Sequence, residues 1–495
     1  MYVGIDLGST NIKAAAYDQN MRLVSSCSLP VTYIRDGVYI EFDVEKYFDD
    51  IVSLLADVCG RACMDPGHFS AGGSDTGTAD PICHIALTGQ AETLICLDAD
   101  GCPLANAISW MDERSADECA LLSERFTTDQ IRSVTGQAAV LPTWPATKIL
   151  WLRSHCPDIF ERTAHFVLLK DYVAFRLCGR LAADMSIATF SLYFNIYKKE
   201  YWRGMLEAIG IDESLLPELA EPCTCLGRIL ADIAVRTGIS PDSTVNTGTL
   251  DHFAGMIGTG NTAPGGVTLS IGTVMALAAM RSEPRPENNI IADHYGFLPD
   301  THVLLPVAES GGVSLEWLRR TCMEGVSYEE INSVLAQRGP SDVIFLPYIV
   351  GTSAPEFDSR ATGVFWGLRQ EHDKYDMARA VMEGVAFVLR KNCEAIEKAG
   401  TKLDSIIITG GGAKSPVWCQ IIADASGLPV RVPLESEAAC LGAAMIAAVA
   451  CGRFASYAEA AAGCVSYRAV FTPMEDRSAK YRRFCSLYDA CLDIQ

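Results

Sequence analysis

Val3 to Asp18 reads VGIDLGSTNIKAAAYD: an apolar run, a turn of Gly8, Ser9 and Thr10, then a second run with the composition of a strand. A shorter echo, TLSIGTVMALAAM, occupies Thr268 to Met280 in the other half of the chain. Glycine lets main-chain N–H groups come close to an anion, and Ser and Thr hydroxyls add further donors. Two such units in opposite halves imply a polyphosphate gripped between two related lobes, and ATP is the expected ligand. Asp6 would repel a bare phosphate, so its place at the end of the first strand implies an intervening divalent cation or ordered water, with Lys13 supplying positive charge. Taken alone, either unit is equally an ordinary hairpin with a polar turn.

Bulk properties narrow the class. At 495 residues the chain is too long for one core, and two domains are expected. Hydrophobic residues make up 49% and charged residues 20%, the balance of a packed soluble protein rather than a disordered one. A formal net charge of −21 argues against a general nucleic-acid or anionic-membrane surface, because both need basic patches. Of the 19 cysteines, Cys96, Cys178, Cys393 and Cys440 sit in apolar segments as buried free thiols do, and Met1 leads straight into a strand, so a reducing cytoplasm is expected. Cys223 and Cys225 form a lone C-x-C without a second pair at zinc spacing. The apolar run Ala438 to Cys451 is shorter than the roughly 18 residues a membrane helix needs, and is expected to be a buried helix.

Strands and helices alternate in both halves, so the fold class is α/β with mixed sheets. The pattern predicts a helix at Val44–Val58, a loop at Ser70–Asp80, a strand at Ile82–Thr88 and a turn at Asp100-Gly101. Residues 120–235 read as mostly helical, broken at Pro142, Pro145 and Pro157. The second half opens on a strand in STVNTGTLDHFAGMIGTG (Ser243–Gly260), followed by the second hairpin. Helices are expected at Ser314–Met323 and Met377–Lys398, and a strand at Ser405–Thr409 runs into a helix reaching Ile422. The hinge is expected near 242–248, dividing the chain into domains 1–245 and 246–495.

Several segments carry chemistry. GGGAKS (Gly410–Ser415) is not a Walker A loop, since Ala413 stands where glycine should precede the lysine, but its glycines allow a purine, ribose or phosphate to lie against a helix start. GTGNTA, from Gly258, lacks the strand-to-helix setting of a dinucleotide fingerprint, so an oxidoreductase reading has little to rest on. Asp251, among the small residues of TGTLDHFAG and just before the second hairpin, is the expected general base, although an Asp at a strand end also serves as a cap. Gln90, Ala91, Glu92 and Thr93, with Trp110, Met111, Asp112, Glu113 and Arg114, mix carboxylates and amides with an aromatic face, as sugar sites do. Trp110 as core, and Asp112 with Arg114 as a surface pair, remain open readings. His252, next to Asp251, is either a substrate contact or a packing residue.

Together these segments resemble the FGGY carbohydrate kinases, within the actin, hexokinase and Hsp70 ATPase superfamily. DLGSTNIK is similar to that family's first phosphate loop, PTWPATKILWL (Pro142–Leu152) to its first signature, and SIGT to its second phosphate loop. FLPYIVGTSAPEFDSRATGVFWGL with DMARAVMEGVAF resembles the second signature, and TGGGAKSPVWCQIIADASGLPV the adenosine segment. The resemblance implies two ribonuclease-H-like domains of actin/hexokinase type flanking a cleft that closes over a sugar. It implies Asp251 as catalytic base, Asp6 positioning magnesium, Gly8, Ser9, Thr10, Gly272 and Thr273 on the ATP phosphates, and Gly411, Gly412 and Ala413 facing the nucleotide. Xylulokinases carry Met-His where this chain has Ala91-Glu92, and often Asn where it has His252; Ser154 also departs from the first signature. A ketopentose such as xylulose is the leading acceptor, with ketohexoses, deoxy sugars and polyols as alternatives and a homodimer as a possible assembly. An ATPase switch of the same superfamily is the rival, and would not need the segment Gln90–Arg114.

Overall fold

A computed structural model of the chain describes residues 1–64, 81–284, 291–435 and 437–492. The loop expected at Ser70–Asp80 lies outside the described residues. The alternation in VGIDL dictates how the first lobe is layered. Val3, Ile5 and Leu7 point to one face of their strand, where they meet Tyr47, Phe48, Ile51, Leu55 and Val58 of the helix Val44–Met64 in one core. That helix runs six residues beyond the expected Val58 because its apolar stripe continues through Cys59 and Ala62, both buried. Tyr2, Gly4 and Asp6 point to the other face, toward the second half of the chain.

The first hairpin pairs Tyr2–Leu7 with Asn11–Tyr17, placing Asp6 opposite Lys13, and Leu23–Pro30 completes an antiparallel meander. On the other side of Tyr2–Leu7 come His84–Gly89 and Thr244–Leu250, both parallel, and then Cys225–Arg228, antiparallel at the edge. The second sheet repeats this order. Gly266–Ile271 and Met275–Arg281 form the second hairpin, His302–Leu304 completes the meander, Ser405–Gly410 and Val430–Pro433 follow in parallel, and Tyr467–Phe471 closes the edge antiparallel. Each fourth strand ends on a glycine in register with the last residue of the first strand. Gly89 stands opposite Leu7 and Gly410 opposite Ile271, at φ +159° and +78°, with no room for a Cβ against those residues. The two lobes are thus one unit used twice, in the ribonuclease-H-like α/β arrangement anticipated.

A helix follows the fifth strand in each unit: Asp251–Gly258 in the first and Ala438–Ala450 in the second. These two helices pack on each other backbone to backbone. A Cβ at Gly442 would lie 1.8 Å from the Ala254 carbonyl oxygen, one at Gly258 1.9 Å from that of Ala438, and one at Gly4 2.0 Å from that of Cys440. The apolar run expected to form a buried helix therefore does so, wedged between the lobes, with Cys440 to Ala448 buried. Among the described residues no helix is long and apolar enough to cross a membrane. Cys96 and Cys393 are buried as expected, whereas Cys178 is only partly so.

Three expectations are corrected. The strand sought over Ser243–Gly260 stops at Leu250. Gly248, at φ +64° and pressed on the Leu87 carbonyl, makes a bulge between Asn246 and Thr249, after which Phe253, Ala254, Met256 and Ile257 bury one side of a helix. Because Thr244–Leu250 is a strand of the first sheet, a division at 245/246 would cut it; the last strand of the first sheet ends at Leu250 and the first of the second begins at Gly266. Residues 120–235 also hold short strands, including His165–Leu168 paired with Leu94–Leu97, because apolar runs of four residues carry no period that separates strand from helix.

Candidate active site

Both interlobe helices begin at one cleft, a cavity of about 260 Å³ lined by Asp6, Lys13, Asp251, His252, Thr268, Ser270, Thr409, Gly410 and Glu437. Helix N-termini carry partial positive charge and unpaired N–H groups, so two of them converging here favour an anion. Asp251 is the first residue of its helix, and its Oδ1 accepts the His252 N–H at 2.6 Å, which fixes the carboxylate at the cleft. Asp6 reaches the same space from the end of the first strand. Its Oδ1 is buried without a hydrogen-bond partner. Burial first, and then the negative charge of Asp251, push its carboxyl up to about 7. A carboxylate so placed fits a cation. Among the described residues no three His, Cys, Asp or Glu side chains gather closely enough to hold a metal by themselves, so any cation here would also need phosphate and water oxygens.

Lys13 does not stand alone beside Asp6. Its Nζ donates to Glu437 Oε2 at 2.6 Å, joining the first hairpin to the start of the second interlobe helix. Glu437 stands at the start of the second interlobe helix, as Asp251 stands at the start of the first, although four residues beyond its strand instead of one, and the sequence reading missed it. The duplication was the signal that would have found it. In the second hairpin the turn Gly272-Thr273 is exposed, and its carbonyls accept the N–H groups of Gly312 and Val313, docking a helix start against the turn. Of the adenosine segment, Gly411 is exposed, but Gly412 and Ala413 are buried. A Cβ at Gly412 would lie 2.8 Å from that of Ile271, so its smallness is required by packing against the first strand of the sheet.

The side chains expected to meet a sugar gather on the other end of the first turn. Trp110, partly exposed, donates from Nε1 to Ser9 Oγ at 2.8 Å, and Tyr33 donates to the Ser9 carbonyl. Thr10, at the tip, is exposed and Gly8 half-buried. Ala91 and Glu92 follow the Gly89 kink. Glu92 has φ +67°, a left-handed backbone that is strained for a side chain with a Cβ and concentrates at functional positions. Its carboxyl is raised by burial, against the opposing pull of Lys148.

Two expected sugar contacts are corrected. Gln90 is buried, its amide donating to the Leu7 and Gly8 carbonyls and its oxygen accepting from Thr93. It braces the first turn instead of facing a ligand. Asp112 is fully buried, its oxygens held by the Ile40 N–H and by Arg114, which also binds Glu41. Burial of an unpaired carboxylate is costly, and this ion pair leaves it no free valence for a sugar. Of the remaining expected contacts, His252 lines the cleft and Trp110 stands on the first turn through Ser9.

Residues 1–258 match the N-terminal domain of the FGGY family of carbohydrate kinases, and residues 267–451 its C-terminal domain. The chain belongs to this family. It is a carbohydrate kinase, an enzyme that transfers a phosphoryl group to a sugar. It is 30% identical over 492 residues to a xylulose kinase of Bacillus subtilis (strain 168), covering 98% of this chain and 95% of that protein. Two crystal structures from Lactobacillus acidophilus, one of a gluconate kinase and one of a ligand-bound xylulose kinase, each superpose with a TM-score of 0.87 at 25% identity, over 99% of this chain and 97% of theirs. One FGGY backbone thus serves enzymes named for different acceptors, and the acceptor must be read from side chains.

Proposed function

We propose that this carbohydrate kinase transfers the γ-phosphate of ATP to a hydroxyl of a small ketose, with xylulose first among the candidates and Asp251 as the general base. The observation that carries the reading is the position of Asp251, held by the His252 N–H at the mouth shared by both interlobe helices, in the same cavity as Asp6. A carboxylate need only accept the hydroxyl proton as the phosphoryl group leaves. Gly8, Ser9 and Thr10 on one side, and Gly272 and Thr273 on the other, offer N–H and hydroxyl donors to the phosphates. The exposed Gly411 borders the nucleotide. Asp6 would hold magnesium through its unpartnered Oδ1, and magnesium, when bound, neutralises charge on the transferring phosphoryl group. Trp110 covers the apolar face of the sugar while Glu92 and His252 read its hydroxyls, the small Ala91 leaving room beside them. The similarity to named xylulose kinases favours a ketopentose, and the use of the fold by gluconate kinases keeps the panel wide.

Asp251→Asn is the direct test. Turnover with the best acceptor from a panel of ketopentoses, ketohexoses, deoxyketoses, polyols and gluconate should fall by about 10²–10⁴, with ATP binding retained. Near-normal turnover would remove Asp251 from the chemistry. ADP release indifferent to every acceptor would remove the proposed acceptor class.

A further inference from the structure

The signature segment PTWPATKILWL forms the start of the helix Pro145–His155, and its single cation, Lys148, is fully buried. A buried lysine needs partners, and here both are backbone carbonyls of the acceptor side. Nζ donates to the Ser109 carbonyl at 2.8 Å and to the Glu92 carbonyl at 3.1 Å. Ser109 immediately precedes Trp110, and Glu92 is the residue held in the left-handed backbone. One ammonium therefore ties together the two loops that carry the sugar-facing side chains.

We infer that Lys148 is a positioning residue for the acceptor: its ammonium, bonded to the Glu92 and Ser109 carbonyls, clamps the Glu92 and Trp110 loops at a fixed separation. This rests on the placement of Glu92 in the acceptor site proposed above. The same ammonium pulls the Glu92 carboxyl toward its charged form, against the larger effect of burial. Arg114 also lies near, but it is committed to Asp112 and Glu41. The Thr143 hydroxyl stands beside the Glu92 carboxyl and favours its charged form, in the same direction as Lys148 and against burial. Burial in turn lowers Lys148, so each member depends on the other for its charge.

The test is the pH profile of kcat/KM for xylulose at saturating MgATP, measured on the full chain. Lys148→Met should lower kcat/KM for xylulose by about tenfold or more, as expected when buried carbonyls lose their donor, while KM for ATP stays near wild type. Its acid limb should move to higher pH by about one unit or more, because an opposing charge close by is worth that much. Thr143→Val should move the limb the same way by less, and it carries the test alone if Lys148→Met does not fold as judged by its melting curve. Glu92→Gln separates the two readings. If it leaves the xylulose KM unchanged, the acceptor placement of Glu92 fails. If it raises that KM while the other two variants leave the limb where it was, the role of Lys148 is overturned and the acceptor site stands.

Discussion

Alanine at Gly442 should destabilise this protein, although the same exchange stabilises most helix interiors. On propensity alone, Gly→Ala in a helix gains about 0.5–1 kcal/mol. At this position, however, the new Cβ would sit 1.8 Å from the Ala254 carbonyl oxygen and 2.9 Å from the Gly258 nitrogen, both main-chain atoms that cannot rotate away. Restoring ordinary contact means parting the two interlobe helices by more than an ångström. Overpacking of this kind costs about 1–3 kcal/mol, occasionally more, so the clash outweighs the propensity gain. The control is Gly60, inside the helix Val44–Met64, where a Cβ meets nothing within 4 Å. At about 2–4 °C per kcal/mol for lobes of this size, Gly60→Ala should melt above wild type by a degree or more and Gly442→Ala below it by several. Thermal unfolding of both variants without ligand, in one buffer, gives the comparison. A Gly442→Ala protein that melts at or above wild type would refute the close helix crossing.

Three further outcomes follow from the cleft. Because burial and Asp251 raise Asp6 to about 7, the folded chain binds its proton more tightly than the unfolded chain, and stability falls as pH rises from the ordinary carboxylate range to that value. Asp6→Asn should therefore melt above wild type at pH 8 without nucleotide, with the gap closing toward pH 4; a gap that ignores pH would clear Asp6 of this effect. The Lys13–Glu437 pair is more than a third exposed on both sides, so Glu437→Gln should change stability by less than about 1 kcal/mol, while Lys13→Met should raise KM for ATP; denaturation curves and steady-state kinetics test the two halves. Trp110→Phe and Ser9→Ala each remove the same hydrogen bond, so a double-mutant cycle on kcat/KM for the sugar should return a coupling of about 0.5–1.5 kcal/mol, and additivity would mean the bond does no work in the reaction.

The hairpins, Asp251 and the buried run at 438–450 were legible because each depends on local chemistry: a turn that needs small residues, a strand that ends in a carboxylate, an apolar period. Glu92 could be singled out as a carboxylate, but nothing local shows its left-handed backbone or the bond to its carbonyl from Lys148, which lies 56 residues away. Gln90 and Asp112 misled because a polar side chain in a loop looks the same in sequence whether it meets a ligand or a main-chain group. The position of Asp112 is decided by the Ile40 N–H, a partner no local pattern reveals. The lobe boundary was placed early because Thr244–Leu250 follows in sequence from a helical stretch yet completes a sheet begun at Tyr2. Lys148 went unread because a lone lysine among apolar residues gives no hint of the two carbonyls it holds.

Gly89 and Gly410 end equivalent strands at the same register, yet one strand opens into Gln90–Glu92 and the other into Gly411–Ala413. Identical scaffolding below the glycine leaves the loop above it free to change without disturbing its twin. Choice of acceptor and hold on the nucleotide are then separable traits, each written in a few residues. On the acceptor placement proposed for Ala91-Glu92, exchanging that pair for the one carried by another member of the family becomes a graft onto a finished frame, expected to change which sugar enters and to leave the other lobe's loop as it was.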